Sequence, residues 1–175
     1  MSEEEKNMKK MTERALNDSM AGESMAHIKY LAFSEAAERE GLPNIAKLFR
    51  AIAYAEQVHA VNHARTLGAI GCTADNLKSA IEGENFEVEE MYPAYDAIAH
   101  LQCEKGALRS IHYALSAEKI HAAMYCDALA SLEKEGDPDI DTVHICPVCG
   151  FTHIGEPPEK CPVCGVPSSK FRSFD

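Results

Sequence analysis

Apolar and polar positions alternate with helical spacing over most of the chain, and glycine and proline punctuate them. A first apolar stripe with a period near 3.6 runs from about Glu5 to Glu40 and stops at Gly41-Leu42-Pro43. Pro43 suits the first turn of a second helix, which the pattern carries to about Leu67-Gly68. The stretch Ala69–Gly83 reads as a connection, with room for one short helix after Thr73. A third helix is predicted over Glu84–Glu104 and a fourth over Ala107–Glu135, ended by Gly136-Asp137-Pro138. Short turns join the first to the second and the third to the fourth, so each pair reads as an antiparallel hairpin. The long middle connection lets the hairpins pack as a four-helix bundle with one crossover.

Carboxylates interrupt every apolar stripe. The fourth helix sets Leu108, Ile111, Leu115, Glu118, Ala122, Tyr125, Leu129 and Leu132 in one heptad phase. The second sets Ile45, Leu48, Ile52, Glu56 and His59 on one face, the first Leu16, Met20, Glu23 and Tyr30, and the third Phe86, Glu87, Glu90, Met91, Ala94 and Ile98. An unpaired carboxylate in a core costs several kcal/mol or more, so groups placed this way are paired or bind metal.

The second and fourth helices carry one motif twice. Ala55-Glu56-Gln57-Val58-His59-Ala60 matches Ala117-Glu118-Lys119-Ile120-His121-Ala122, 62 residues later. One Glu-x-x-His is expected about once by chance in such a composition, whereas two matching hexamers at equivalent positions are not. The i, i+3 spacing brings a carboxylate oxygen and an imidazole nitrogen to one ion. The candidate ligands are therefore Glu23, Glu56, His59, Glu87, Glu90, Glu118 and His121. Five carboxylates suit two divalent ions better than one, and mixed oxygen and nitrogen donors suit iron or manganese. Aligning Glu23 with Glu87 sets Ala26 opposite Glu90, so one half carries an additional carboxylate. His27, His63, His100 and His112 read as surface or supporting groups. Tyr30 reads either as core or as a hydrogen-bond donor to a bound carboxylate.

Four of seven cysteines lie in a second region, where Cys146-Pro-Val-Cys149-Gly150 is repeated as Cys161-Pro-Val-Cys164-Gly165. Four thiolates at C-x2-C-x11-C-x2-C spacing bind zinc or a single iron, and spacing alone does not separate the two. So short a module needs the metal to hold it together. Cys72, Cys103 and Cys126 are scattered and read as buried, inert thiols. The boundary falls near Gly136-Asp137-Pro138, giving a helical domain over 1–137 and a cysteine module over 138–175.

Composition narrows the function. The net charge of −11 falls within residues 1–142, while 143–175 hold three basic and three acidic residues. Such an acidic chain repels nucleic acid. No apolar run has the length of a membrane span, and Met1-Ser-Glu-Glu-Glu-Lys does not resemble a signal peptide, so a cytoplasmic protein is expected.

These motifs together resemble the rubrerythrin family over essentially the whole chain. The resemblance rests on Ala21-Gly22-Glu23-Ser24, the two hexamers, Ile81-Glu82-Gly83-Glu84, Glu87-x-x-Glu90-Met91-Tyr92-Pro93 and the two Cys-Pro-Val-Cys-Gly turns. One Glu plus one Glu-x-x-His from each helix pair is the ligand pattern of ferritin-like di-iron proteins. The resemblance implies a ferritin-like di-iron bundle joined to a rubredoxin-like Fe(Cys)4 domain, zinc being a possible substitute there. It implies a peroxidase that reduces hydrogen peroxide to water and protects against oxidative stress, with Glu90 and His59 exchanging at one iron. Partners would be an electron donor such as rubredoxin or its reductase. NAD(P)H would act only indirectly, because no Gly-x-Gly-x-x-Gly is present. A homodimer is implied, with the rubredoxin domain of one subunit near the di-iron site of the other, and with helical hairpins exchanged between chains in some relatives. A ferroxidase or iron-handling protein, or a di-metal bundle with a zinc-ribbon interaction module, stays open as an alternative.

Overall fold

The computed structural model describes residues 8–175; the predicted helix start at Glu5 lies outside them. The chain forms helices α1 (Lys10–Arg39), α2 (Pro43–Thr66), α3 (Thr73–Phe86), α4 (Tyr92–Leu101) and α5 (Lys105–Glu135), with a π-helical turn at Glu87–Met91 between α3 and α4. Three short strands follow: β1 (Val143–Ile145), β2 (Thr152–Ile154) and β3 (Arg172–Phe174). Because α3, the π turn and α4 abut, they form one long rod, and the helical part consists of four rods paired as two hairpins. The chain divides into two compact units, 1–71 and 72–175.

In the first unit, α1 packs on α2 through small residues. Ala46, Ala53 and Ala60 recur every seventh position and are buried against the α1 face that holds Ser34 and Ala37. Alanine at these positions lets the two backbones approach closely. Arg50 donates to Ser34 Oγ at 3.0 Å and also bonds the Glu38 carboxylate, pinning the turn end of the hairpin. Ile45, Leu48 and Ile52, the apolar stripe of α2, are exposed in the single chain.

In the second unit, α5 lies along the α3–α4 rod. The rod begins eleven residues earlier than the periodicity predicts, at Thr73 rather than Glu84, and leaves only residues 67–72 as the connection. Gly83 suggests a boundary, yet it sits inside α3, where glycine costs only about 1 kcal/mol relative to alanine. Three helix ends share one closing geometry. Leu42 N–H bonds Ala37 O, Ala69 N–H bonds Ala64 O and Glu104 N–H bonds Ala99 O, each with a left-handed residue just before the donor. Gly41 and Gly68 fill that place in the first two, and Cys103, with φ +57°, fills it in the third.

The strands form an antiparallel sheet in the order β2–β1–β3, with His144 opposite both His153 and Ser173. Cys146, Cys149, Cys161 and Phe151 form its small core, and Tyr113 and Ile120 of α5 pack against that core. Cys72, Cys103 and Cys126 are exposed, contrary to the expectation of buried thiols. All three stand at helix ends or on an outer helix face, where apolar periodicity does not govern burial. Among the described residues no helix is long and apolar enough to cross a membrane.

Candidate metal centres

Two half-sites with one design occupy the two units. In the first, α1 contributes Glu23 and α2 contributes Glu56 and His59, each offering a ligand atom within 4.8 Å of the others. His59 Nδ1 lies 3.2 Å from Glu56 Oε2. His27, one turn beyond Glu23, sets a ring nitrogen 2.7 Å from Ala53 O and fastens α1 to α2 beside the cluster. Tyr30 packs its ring against Phe33 and Phe49.

In the second, α3 contributes Glu84 and α5 contributes Glu118 and His121, again within 4.8 Å. His121 Nδ1 is 2.6 Å from Glu118 Oε2. Glu84 therefore stands where the apolar stripe had placed Glu87. Glu87 lies one turn further on and still feels the Glu118 charge. Glu90, expected as a ligand, is exposed and lies outside both clusters. The cause is the π turn: its wider helical repeat shifts the phase of every side chain after Glu87, so a 3.6-residue stripe continued through it leads to a carboxylate outside the cluster. A signal for Glu84 exists in the sequence. Gly22-Glu23 and Gly83-Glu84 form a second internal repeat, and aligning on it makes Glu87, opposite Ala26, the additional carboxylate.

Electrostatics marks the second half-site as crowded with negative charge. Glu84 is pushed up to about 7, first by burial and then by its hydrogen bond to Glu118 and the Glu118 charge, with His121 pulling the other way. Glu87 is raised by burial and by Glu118. Tyr92, which the sequence analysis did not single out, is raised by burial and then by Glu87, Glu118 and Glu84, so its phenol stays protonated beside the carboxylates.

The four cysteines form the third cluster, with all four sulfurs within 4.8 Å. Cys146 and Cys164 sulfurs are 3.5 Å apart and those of Cys149 and Cys161 3.4 Å. Tetrahedral bonds of roughly 2.3 Å to one ion would set sulfurs about 3.7 Å apart, so the cage has the size such an ion needs. The two turns are superimposable in their bonding. Gly150 N–H bonds Cys146 O at 3.0 Å and Gly165 N–H bonds Cys161 O at 2.9 Å, with φ +78° and +77° at the glycines. Burial pushes the Cys161 thiol up, but backbone N–H groups of Cys164 and Val163 and neighbouring thiols outweigh it and bring it down to about 7. Burial and the adjacent thiols push Cys149 up.

Paired carboxylate–histidine half-sites on helical hairpins, with a four-thiolate cage appended, define a non-haem metal-carboxylate protein carrying a rubredoxin-like module. The comparisons with known proteins are specific. The rubrerythrin family model matches residues 14–129, and the model of the rubrerythrin rubredoxin-like domain matches residues 144–172. The chain is 48% identical to Rubrerythrin-2 of Clostridium acetobutylicum, over 94% of this chain and 97% of that one. It is 36% identical to nigerythrin of Nitratidesulfovibrio vulgaris, over 91% and 84%. Its fold matches the partially reduced nigerythrin structure with a TM-score of 0.56 at 33% identity, covering 99% of this chain and 92% of that one. The fully reduced, all-ferrous nigerythrin structure matches with a TM-score of 0.55. The chain belongs to the rubrerythrin family, whose members are oxidoreductases with a di-iron site and an Fe(Cys)4 site. The donor sets fit both groups: oxygen and nitrogen at the half-sites, sulfur alone in the cage.

Proposed function

We propose that this chain is a cytoplasmic peroxidase that reduces hydrogen peroxide to water, with a helical di-iron domain over 1–137 and a rubredoxin-like relay domain over 138–175. The observation that carries the reading is the company the second half-site keeps: a four-thiolate cage rests on the same α5 that bears Glu118 and His121. An iron store has no need of a redox relay, whereas H2O2 + 2H+ + 2e− → 2H2O needs electrons delivered repeatedly. Iron held by these residues would supply those two electrons.

Glu23, Glu56 and His59 would hold one side of the centre, and Glu84, Glu118 and His121 the other. Glu87 stands by as the additional carboxylate. Tyr92 keeps its phenolic proton, held there by burial and by the negative charges of Glu87, Glu118 and Glu84. Tyr30, seven positions after Glu23 and so on the same helix face, is its counterpart in the first half-site. Cys146, Cys149, Cys161 and Cys164 hold the relay iron. Electrons come from an external donor such as rubredoxin or its reductase, with NAD(P)H acting only through that partner.

The two half-sites are completed between two copies of the chain that exchange hairpins. Residues 67–72 reach about 20 Å at full extension, while a crossover running the length of a 24-residue helix needs about 36 Å. Ile45, Leu48 and Ile52, which flank Glu56 on the stripe, are exposed in one chain and offer an apolar face to a second.

The reading is tested by visible spectroscopy on anaerobically purified protein, reduced and then given one equivalent of peroxide or, separately, dioxygen. Rapid return of the ferric-thiolate colour with peroxide and slow return with dioxygen is the expected result. Faster return with dioxygen, or iron released instead of retained, would replace it with a ferroxidase.

A further inference from the structure

The repeated hexamers are chemically alike but differently surrounded. Val58, the fourth residue of the first, is 40% exposed, while its counterpart Ile120 packs on the core of the cysteine module. His59 has a hydrogen-bond partner only at Nδ1 among the described residues, whereas His121 has one at each nitrogen. The second partner of His121 comes from the module: Thr152 Oγ1 lies 2.7 Å from Nε2.

Thr152 opens β2 and is 5% exposed. Its hydroxyl donates to Gly150 O at 3.0 Å, and a hydroxyl has a single proton to give. Oγ1 must therefore accept from His121, which places a hydrogen on Nε2. Nδ1 is then the ring nitrogen turned to Glu118 Oε2, 2.6 Å away, on the side where the carboxylate cluster lies. The module also approaches α5 closely at this point. A Cβ on Gly150, were there one, would sit 3.7 Å from Ala117 Cβ, and Ala117 directly precedes Glu118. Tyr113, Ala117, Ile120 and His121 thus form one continuous α5 face against the cage.

We propose that Thr152 is a positioning residue for the metal centre: its hydroxyl fixes His121 as an Nδ1 donor and ties the cysteine module to the half-site on α5 of the same chain. The inference rests on His121 being a metal ligand. The bonded link runs from Cys149 through the Gly150 carbonyl and the Thr152 hydroxyl to the His121 ring. The resemblance implies a module serving another subunit's site, whereas this tie serves the half-site on its own helix. Partners of this kind, on the far nitrogen of a ligating histidine, alter metal affinity by about 10–100-fold when removed.

The test compares Thr152→Val, Thr152→Ala and Thr152→Ser in the full chain. Ferrous affinity of the helical sites is read by chelator competition, and cage iron by its ferric-thiolate absorbance. The Val and Ala variants should bind helical-site iron about tenfold or more weakly with cage absorbance unchanged, and Ser, which keeps the hydroxyl, should restore wild-type affinity. Wild-type affinity in Val and Ala, or failure of Ser to restore it, would overturn the proposal. So would loss of cage absorbance together with affinity in both hydroxyl-free variants, since Thr152 would then merely hold the module together. His121→Ala is the control; if it keeps wild-type affinity, the ligand assignment fails and the tie falls with it.

Discussion

Glu84 and Glu118, from helices on opposite sides of one half-site, share a hydrogen bond between their carboxyl groups. Two carboxylates can do this only if one keeps its proton, and burial together with the Glu118 charge pushes Glu84 up to about 7. Between its ordinary value of 4.5 and about 7, folded metal-free protein binds more protons here than unfolded protein. This contribution to stability is complete below the unfolded value and is lost as pH rises through about 7. Chelated protein should therefore melt at a lower temperature at about pH 8 than at about pH 5.5. Glu84→Gln should flatten the slope. Added ferrous iron should reverse it, because metal must displace the shared proton and binds more tightly as pH rises. Calorimetric scans across that range, with and without metal, check all three outcomes.

The two carboxylate assignments on the rod separate in a single experiment. Glu84→Ala removes a member of the cluster and should weaken iron binding by more than tenfold. Glu90 is exposed, so Glu90→Ala should stay within about twofold of the parent. Metal analysis after dialysis against a weak chelator distinguishes them. Equal losses would restore Glu90 to the ligand set.

Hairpin exchange predicts complementation. One chain carries Glu56→Ala and His59→Ala, and its partner carries Glu118→Ala and His121→Ala. Each alone should lose tight di-iron binding. Unfolded together and refolded, a mixed dimer with exchanged hairpins regains one intact centre, while a self-contained bundle regains none. Iron retention in the isolated mixed dimer provides the readout.

Cys103 occupies a left-handed position that glycine fills at the ends of α1 and α2. Cβ crowding there costs about 1 kcal/mol, partly offset in a glycine variant by the greater freedom of its unfolded chain. Cys103→Gly should therefore raise stability by about 0.5 kcal/mol, a change of roughly 1–2 °C in Tm, without altering metal content. Thermal melts of metal-loaded protein check the sign.

The sequence by itself determined what depends on short-range periodicity and repeated chemistry. Apolar spacing marked both hairpins, because residues three and four apart share a helix face wherever the helix is regular. The paired Glu-x-x-His hexamers and the paired Cys-Pro-Val-Cys-Gly turns marked the three clusters, because each motif brings two ligand atoms together through local backbone geometry. Tertiary structure decided the rest. It placed Glu84 in the cluster and Glu90 outside it because a π turn breaks the helical phase that periodicity assumes. It extended the rod back to Thr73 because packing on α5 overrides the weak helix propensity of Gly83. It brought Tyr92 to the carboxylates and Thr152 to His121, 31 residues away. That last contact has no local signature, since it exists only where a folded module meets a helix face.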